Sequence, residues 1–365
     1  MSKLPSNYNF EIYKSITKIK EISKTISHKP LVALQFPDGL MIFSLIISDI
    51  LSTFAECNII ILGDITYGAC CIDDIGCSIL NCDLLIHYAH SCLVPISECR
   101  VKTMYVFVEI NIDITHLVKT IELNFPQEMS YNIYLVSSIQ FNSSLFVCRR
   151  QLINLGYQSD LINIPQAKPR AMGEVLGCTS PILEIKPEKK NIVIFVCDGR
   201  FHMESLMIQN PEVLFYQYNP FTKEISLEEY DSGLMKKIRY EQVELLKKAE
   251  FVGVIFGTLG RQGSKGIFER LKSVMDKKGV KYCTICLNEI TEEKISKFQQ
   301  CDAFIQLACP RLSIDWFNQF SKPMLTPYEA YVAYGETEFK EVYPMDNYKF
   351  NGGDWGHYPS NKVII

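Results

Sequence analysis

Phe251-Val252-Gly253-Val254-Ile255-Phe256-Gly257 is a continuous apolar run, and Thr258-Leu259-Gly260-Arg261-Gln262-Gly263-Ser264 follows it as a glycine-rich turn. A run with no polar alternation suits a strand buried on both faces, which needs helices above and below it. The stretch therefore predicts a parallel α/β unit. The same signature recurs at residues 31–36, 59–62, 84–87, 104–108, 133–136, 192–197, 213–218, 282–287 and 303–307. Ahead of these runs, Ile12, Ile16, Ile19, Ile22 and Ile26 recur at helical spacing, and Pro30 ends that amphipathic helix.

Ten strand-type runs are too many for one small sheet. At roughly 150 residues per domain, a chain of 365 residues predicts two or three domains. The runs group into three related α/β domains, each a mainly parallel sheet flanked by helices, arranged around a central site. Residues 1–137 carry the N-terminal helix, 138–249 form the second group, and 250–365 form the third with a C-terminal extension. No Gly/Ser linker separates them, so close packing is expected.

Composition excludes several function classes. Lys and Arg total 37 against 41 Asp and Glu, a formal charge of −4, which argues against a strongly basic nucleic-acid surface. Residues 40–48 form the longest apolar candidate for a membrane span and stop at Asp49, short of the roughly 18 residues needed. The polar first ten residues do not read as a secretory leader. A reducing compartment, the cytoplasm, is the expectation. In that setting the 14 cysteines should be mostly thiols, with some available as metal ligands.

Three cysteines lie on loops that follow strand-type runs, where open parallel sheets collect their chemistry. Cys70 is in Gly68-Ala69-Cys70-Cys71, Cys178 in Gly177-Cys178-Thr179, and Cys309 in Ala308-Cys309-Pro310-Arg311. Each group supplies one, and equivalent loops of three packed domains would converge them. Three thiolates on a four-iron cluster leave one iron open for substrate; the alternative is that buried thiols pack as small apolar residues. Either Cys70 or Cys71 suits the first position. Cys283-Thr284-Ile285-Cys286 has the spacing of a zinc or redox pair, yet no second pair accompanies it. Cys92, His87 and His90 sit on another post-strand loop, and the histidines read best as hydrogen-bonded loop residues. Cys57, Cys77, Cys82, Cys99, Cys148, Cys197 and Cys301 read as packing residues. The turn at 257–264 lets backbone amides approach an anion beside Arg261, although it matches neither common nucleotide-loop pattern; Pro37-Asp38-Gly39 is a weaker loop of the same kind.

Read together, the motifs carry more. Leu34-Gln35-Phe36-Pro37-Asp38-Gly39-Leu40, Thr66-Tyr67-Gly68-Ala69-Cys70-Cys71-Ile72-Asp73-Asp74 and His87-Tyr88-Ala89-His90-Ser91-Cys92-Leu93 resemble the diphthamide synthase family. So do the turn at 257–263, Ala308-Cys309-Pro310-Arg311-Leu312-Ser313-Ile314-Asp315-Trp316 and Leu325-Thr326-Pro327-Tyr328-Glu329. The likeness covers nearly the whole chain and is strongest to the eukaryotic first, catalytic subunits. It implies a [4Fe–4S] cluster held by Cys70, Cys178 and Cys309. It also implies S-adenosylmethionine as co-substrate, with Asp38, Gly39, Gly260, Arg261 and Gln262 as the candidate contacts. The implied reaction is a noncanonical radical transfer of the 3-amino-3-carboxypropyl group to C2 of a histidine in translation elongation factor 2. The implied partners are a paralogous second synthase subunit and a small zinc-bearing electron donor, with neither nucleic acid nor membrane involved. The rival from another class is a non-catalytic α/β subunit or zinc/thiol scaffold.

Overall fold

The computed structural model describes residues 4–64 and 66–360. The protein is mixed α/β, with three mainly parallel sheets flanked by helices. Its backbone gathers into two compact units. One runs to Ile112 and includes Ile139–Ser144; the other takes Asp113–Ser138 and the chain from Leu145 onward.

In the first unit, the parallel strands Leu31–Gln35, Asn58–Leu62, Leu84–Tyr88 and Thr103–Val106 lie in the spatial order second, first, third, fourth. The helix Ile12–Ser23 buries Ile12, Ser15, Ile19 and Ile22, the stripe its isoleucine spacing predicts. Residues Asp38–Ala55 form one helical stretch of 18 residues, long and apolar enough by length and composition alone to cross a membrane. The sequence run was read as ending at Asp49, but the helix Ser44–Ala55 continues through it because Asp49 lies off the packed stripe. Ile47, Leu51 and Ala55 are buried against Val32 and Leu34.

The second unit holds two sheets. Asn132–Ser137, Ile162–Asn163, Asn191–Val196 and Leu214–Asn219 are parallel and repeat the second, first, third, fourth order, with Glu224–Glu228 added antiparallel at the edge. Phe251–Gly257, Lys281–Leu287, Ala303–Leu307 and Met324–Leu325 repeat that order once more. In each of these three sheets the order reverses between the first and third strands, which opens a crevice at their carboxyl ends.

Element allegiance differs from the sequence grouping at both boundaries. Asn132–Ser137, grouped with the first domain, pairs with Asn191–Val196 of the second sheet. The helix Ser232–Leu246, grouped with the second, buries Met235, Val243 and Leu246 in one core with Val252, Val254 and Ile305 of the third sheet. Arg239 of that helix is fully buried. It donates two bonds to Glu329 at 2.6 and 2.7 Å, one to the Ser313 carbonyl at 2.6 Å and one to the Met324 carbonyl at 2.8 Å. Glu329 also accepts from Tyr343 at 2.8 Å and completes the capping box of the helix Pro327–Ala333.

Candidate functional site

In the first unit, Gln35 stands at the carboxyl end of the first strand, beside the crevice. Its Nε2 donates to the Cys71 carbonyl at 2.9 Å, and its Oε1 accepts from the Asp73 amide at 3.2 Å. Those two bonds fix the amide orientation, so His87 Nδ1, 2.8 Å from Oε1, carries a proton and donates it. Burial, and then the neighbouring His90, hold the His87 imidazole well below its ordinary pKa. A neutral histidine thus braces a glutamine that braces the cysteine loop. Cys71 is 1% exposed, whereas Cys70 is half-buried, so Cys70 is the thiol left accessible. Asp38 and Gly39 open the turn Asp38–Phe43 and are both exposed.

A glutamine of the third sheet does the same work. Gln306, 1% exposed on Ala303–Leu307, donates to the Cys309 carbonyl at 2.7 Å and to Ser313 Oγ at 3.0 Å. Its Oε1 accepts from the Ala308 amide at 2.9 Å. The glycine turn packs against this loop: a Cβ on Gly257 would stand 2.6 Å from Ala308 Cβ. The turn closes on itself through Gly263 N–H to Gly257 O at 3.0 Å, and Gly260 takes φ +54, a conformation that favours glycine. Ser264 then caps the helix Lys265–Lys277. This arrangement places Gly260, Arg261 and Gln262 on the turn beside the Cys309 loop.

Cys178 is tied to Cys309 by Arg311. This buried guanidinium, two residues beyond Cys309, donates to the Phe201 carbonyl at 2.6 Å and to the Gly177 carbonyl at 3.3 Å. Asp315 and Glu204 neutralise it at 2.8 and 2.5 Å, and its Cζ lies 4.5 Å over the Phe201 ring. Gly177 approaches the same ring so closely that a Cβ would fall 2.1 Å from it. Gly177→Ala is therefore expected to displace Phe201 and to cost about 1–3 kcal/mol, read as a lower urea midpoint. On its other side the Cys178 loop is closed by the C-terminal segment. Asn347 N–H reaches the Cys178 carbonyl at 3.2 Å, Ser180 N–H the Met345 carbonyl at 2.9 Å, and Tyr348 N–H the Thr179 hydroxyl at 2.9 Å. Burial, and then the charge of Cys309, push the Cys178 thiol up to about 12, with Arg311 and Arg170 opposing.

The second unit thus brings Cys178, Cys309 and the glycine turn into one neighbourhood, while Cys70, Asp38 and Gly39 belong to the first. Among the described residues, no group of three or more His, Cys, Asp and Glu side chains stands close enough to hold a metal ion. The sequence grouping expects the three cysteine loops to occupy equivalent positions, and they do not. Cys70 and Cys178 follow the second strands of their sheets, but Cys309 follows a third strand. Gln35, Gln306 and Arg311 carry no role in the sequence reading. The available signal was a lone polar residue inside or just beyond an apolar strand run. Gln306→Leu, which leaves the Ala308 N–H and the Cys309 carbonyl without their partner, is expected to cost about 1–3 kcal/mol. A lower urea midpoint would show it, and a wild-type midpoint would count against the clamp.

The comparisons with known proteins come down on one family. The family model described as putative diphthamide synthesis protein matches residues 36–344. A Dictyostelium discoideum protein named 2-(3-amino-3-carboxypropyl)histidine synthase subunit 1 is 47% identical over 360 residues, covering 97% of this chain and 74% of its own. A Saccharomyces cerevisiae protein of the same name is 43% identical, covering 99% of this chain and 83% of its own. Among solved structures, Dph2 from Pyrococcus horikoshii superposes with a TM-score of 0.73 at 23% identity, covering 92% of each chain. The same protein described with a 4Fe-4S cluster gives 0.72 at 23% identity, over 90% of this chain and 93% of that one.

Proposed function

Because the chain belongs to the diphthamide synthesis family, we propose that it is the catalytic first subunit of a 2-(3-amino-3-carboxypropyl)histidine synthase. Its substrates are then S-adenosylmethionine and one histidine of translation elongation factor 2. The Cγ–S bond of the sulfonium and the C2–H bond of the imidazole break, and a C2–Cγ bond forms. Methylthioadenosine and a proton leave, with no net consumption of electrons. Imidazole C2 is a poor nucleophile beside its ring nitrogens, so a radical route suits this bond. A reduced [4Fe–4S] cluster, when bound, supplies the single electron and the open iron that the route needs.

The observation that carries the reading is the Cys178–Cys309 neighbourhood strung on Arg311. The donor set fits an iron–sulfur group: soft sulfur ligands on loops braced by buried hydrogen bonds, with none of the 14 cysteines in a disulfide. Cys70, Cys178 and Cys309 are the proposed ligands, Cys70 rather than Cys71 because Cys71 is turned into the core. Arg261 is suited to the methionine carboxylate, and Gly260 and Gln262 to backbone and amide contacts with the same end. Asp38 and Gly39 complete the candidate contacts. The paralogous second subunit, a small zinc-bearing electron donor and a cytoplasmic setting belong to the same proposal.

The test is an anaerobic assay with the second subunit, dithionite, S-adenosylmethionine and unmodified elongation factor. Stoichiometric methylthioadenosine and a mass increase on the factor's histidine are expected. A colourless, iron-free protein that is inactive but binds zinc would favour the scaffold reading instead.

A further inference from the structure

Gly253 leaves a gap in the sheet that ends at Cys309, and two sulfurs meet there. The strand Lys281–Leu287 is the edge of this sheet, and Gly253 on the next strand stands opposite Cys283 on one side and Phe304 on the other. A Cβ on Gly253 would lie 2.4 Å from the Phe304 ring and 3.2 Å from Cys301 Sγ. Where that methyl is missing, Cys283 Sγ and Cys301 Sγ approach to 3.8 Å. Cys301 is 1% exposed in an apolar cluster with Ile255, Ile285 and Phe304. Cys283 is only half-buried, so one thiol of the pair faces solvent. The partner suggested by the CxxC spacing, Cys286, is exposed, and three residues along a strand its side chain points to the opposite face.

We propose that Cys283 and Cys301 form a redox-active dithiol that a peroxide converts to a disulfide. The accessible Cys283 sulfur attacks one peroxide oxygen, giving a sulfenic acid and one water. The Cys301 sulfur then attacks the sulfenic sulfur and expels a second water as the S–S bond forms. Two thiols lose two protons and two electrons, and one hydrogen peroxide becomes two waters. Closing from 3.8 Å to a bond of about 2.05 Å moves the sulfurs by about 1.8 Å, into space that Gly253 leaves open. Burial pushes the Cys301 thiol up to about 11, which keeps it protonated and leaves the first encounter with oxidant to Cys283. Cys77 and Cys82 also share a hydrogen bond, but both are buried in the core of the first sheet, away from oxidant.

The test uses the full-length, fully reduced protein, exposed to hydrogen peroxide, blocked with N-ethylmaleimide and digested for peptide mass spectrometry. A Cys283–Cys301 crosslink in most chains, reversed by dithiothreitol and unchanged in Cys286→Ser, is expected. In Cys301→Ser, Cys283 should advance to sulfinic acid. A Cys283–Cys286 crosslink, or wild-type protein with sulfinic Cys283 and maleimide-labelled Cys301, would overturn the proposal. The wild-type result needs no variant to fold, and it stands apart from the proposed transferase activity.

Discussion

On the proposed ligand assignment, Cys309→Ala is expected to leave an anaerobic column without stoichiometric iron and sulfide, and to transfer no detectable aminocarboxypropyl group. The loss should exceed the roughly 100-fold that follows when an outer partner of a ligand is removed. The reason is local. The Cys309 loop is fixed by Gln306 through the Cys309 carbonyl and the Ala308 amide, so the backbone stays in place when the sulfur goes. Neither bond uses the Cys309 side chain, and Arg311 keeps its bonds to Gly177 and Phe201. The variant should therefore keep the urea midpoint of cluster-free wild type while lacking the absorption of a bound cluster. An intact cluster with full activity would refute the ligand assignment. A collapsed fold would refute the claim that the backbone holds without the thiol.

Arg239→Ala should produce the largest loss of stability, about 3–5 kcal/mol, because it strands a fully buried carboxylate. Glu329 would keep its bonds from Tyr343 and Thr326 but lose its countercharge. The carbonyls of Ser313 and Met324 would lose their donors as well. The paired replacement Arg239→Met with Glu329→Leu removes both charges and should cost far less than the single change. Urea unfolding of the three proteins at constant slope would separate these outcomes. A single variant within 1 kcal/mol of wild type, on the scale of an exposed pair, would show that the ion pair is not what pins this helix.

The fold was legible where burial dominates. Runs such as 192–197 and 251–257 are apolar throughout because both faces of a parallel strand are covered, and each emerged as a strand. Allegiance was not legible. Nothing in Ser232–Leu246 says that Val243 will meet Val252 rather than the preceding sheet, since one apolar stripe suits either surface. The same holds for the site. Cysteines stand out by chemistry and glycine turns by spacing, so Cys178, Cys309 and Gly260 were visible in advance. Gln35, Gln306 and Arg311 act through hydrogen bonds to backbone, which any sequence offers everywhere. The CxxC spacing was rightly discounted, but the true neighbour of Cys283 was not legible for a related reason: it is set by the missing side chain of Gly253 across the sheet, not by chain spacing.

The hydrogen bonds between residues 345–348 and residues 178–180 also set an order of events during synthesis. The ribosome reaches Cys178 well before it reaches Asn347. At about 5–20 residues per second, the interval between them is roughly 10–30 s. Throughout that time the thiol exists but its loop lacks the strap that closes it, and no local folding of the first half can supply one. On the proposed ligand assignment, iron and sulfide delivered to such a nascent chain would meet an unfinished loop. The Cys178 loop therefore closes only after residues 345–348 have been made, and a chain stopped between Cys309 and Met345 carries all three cysteines with an open Cys178 loop.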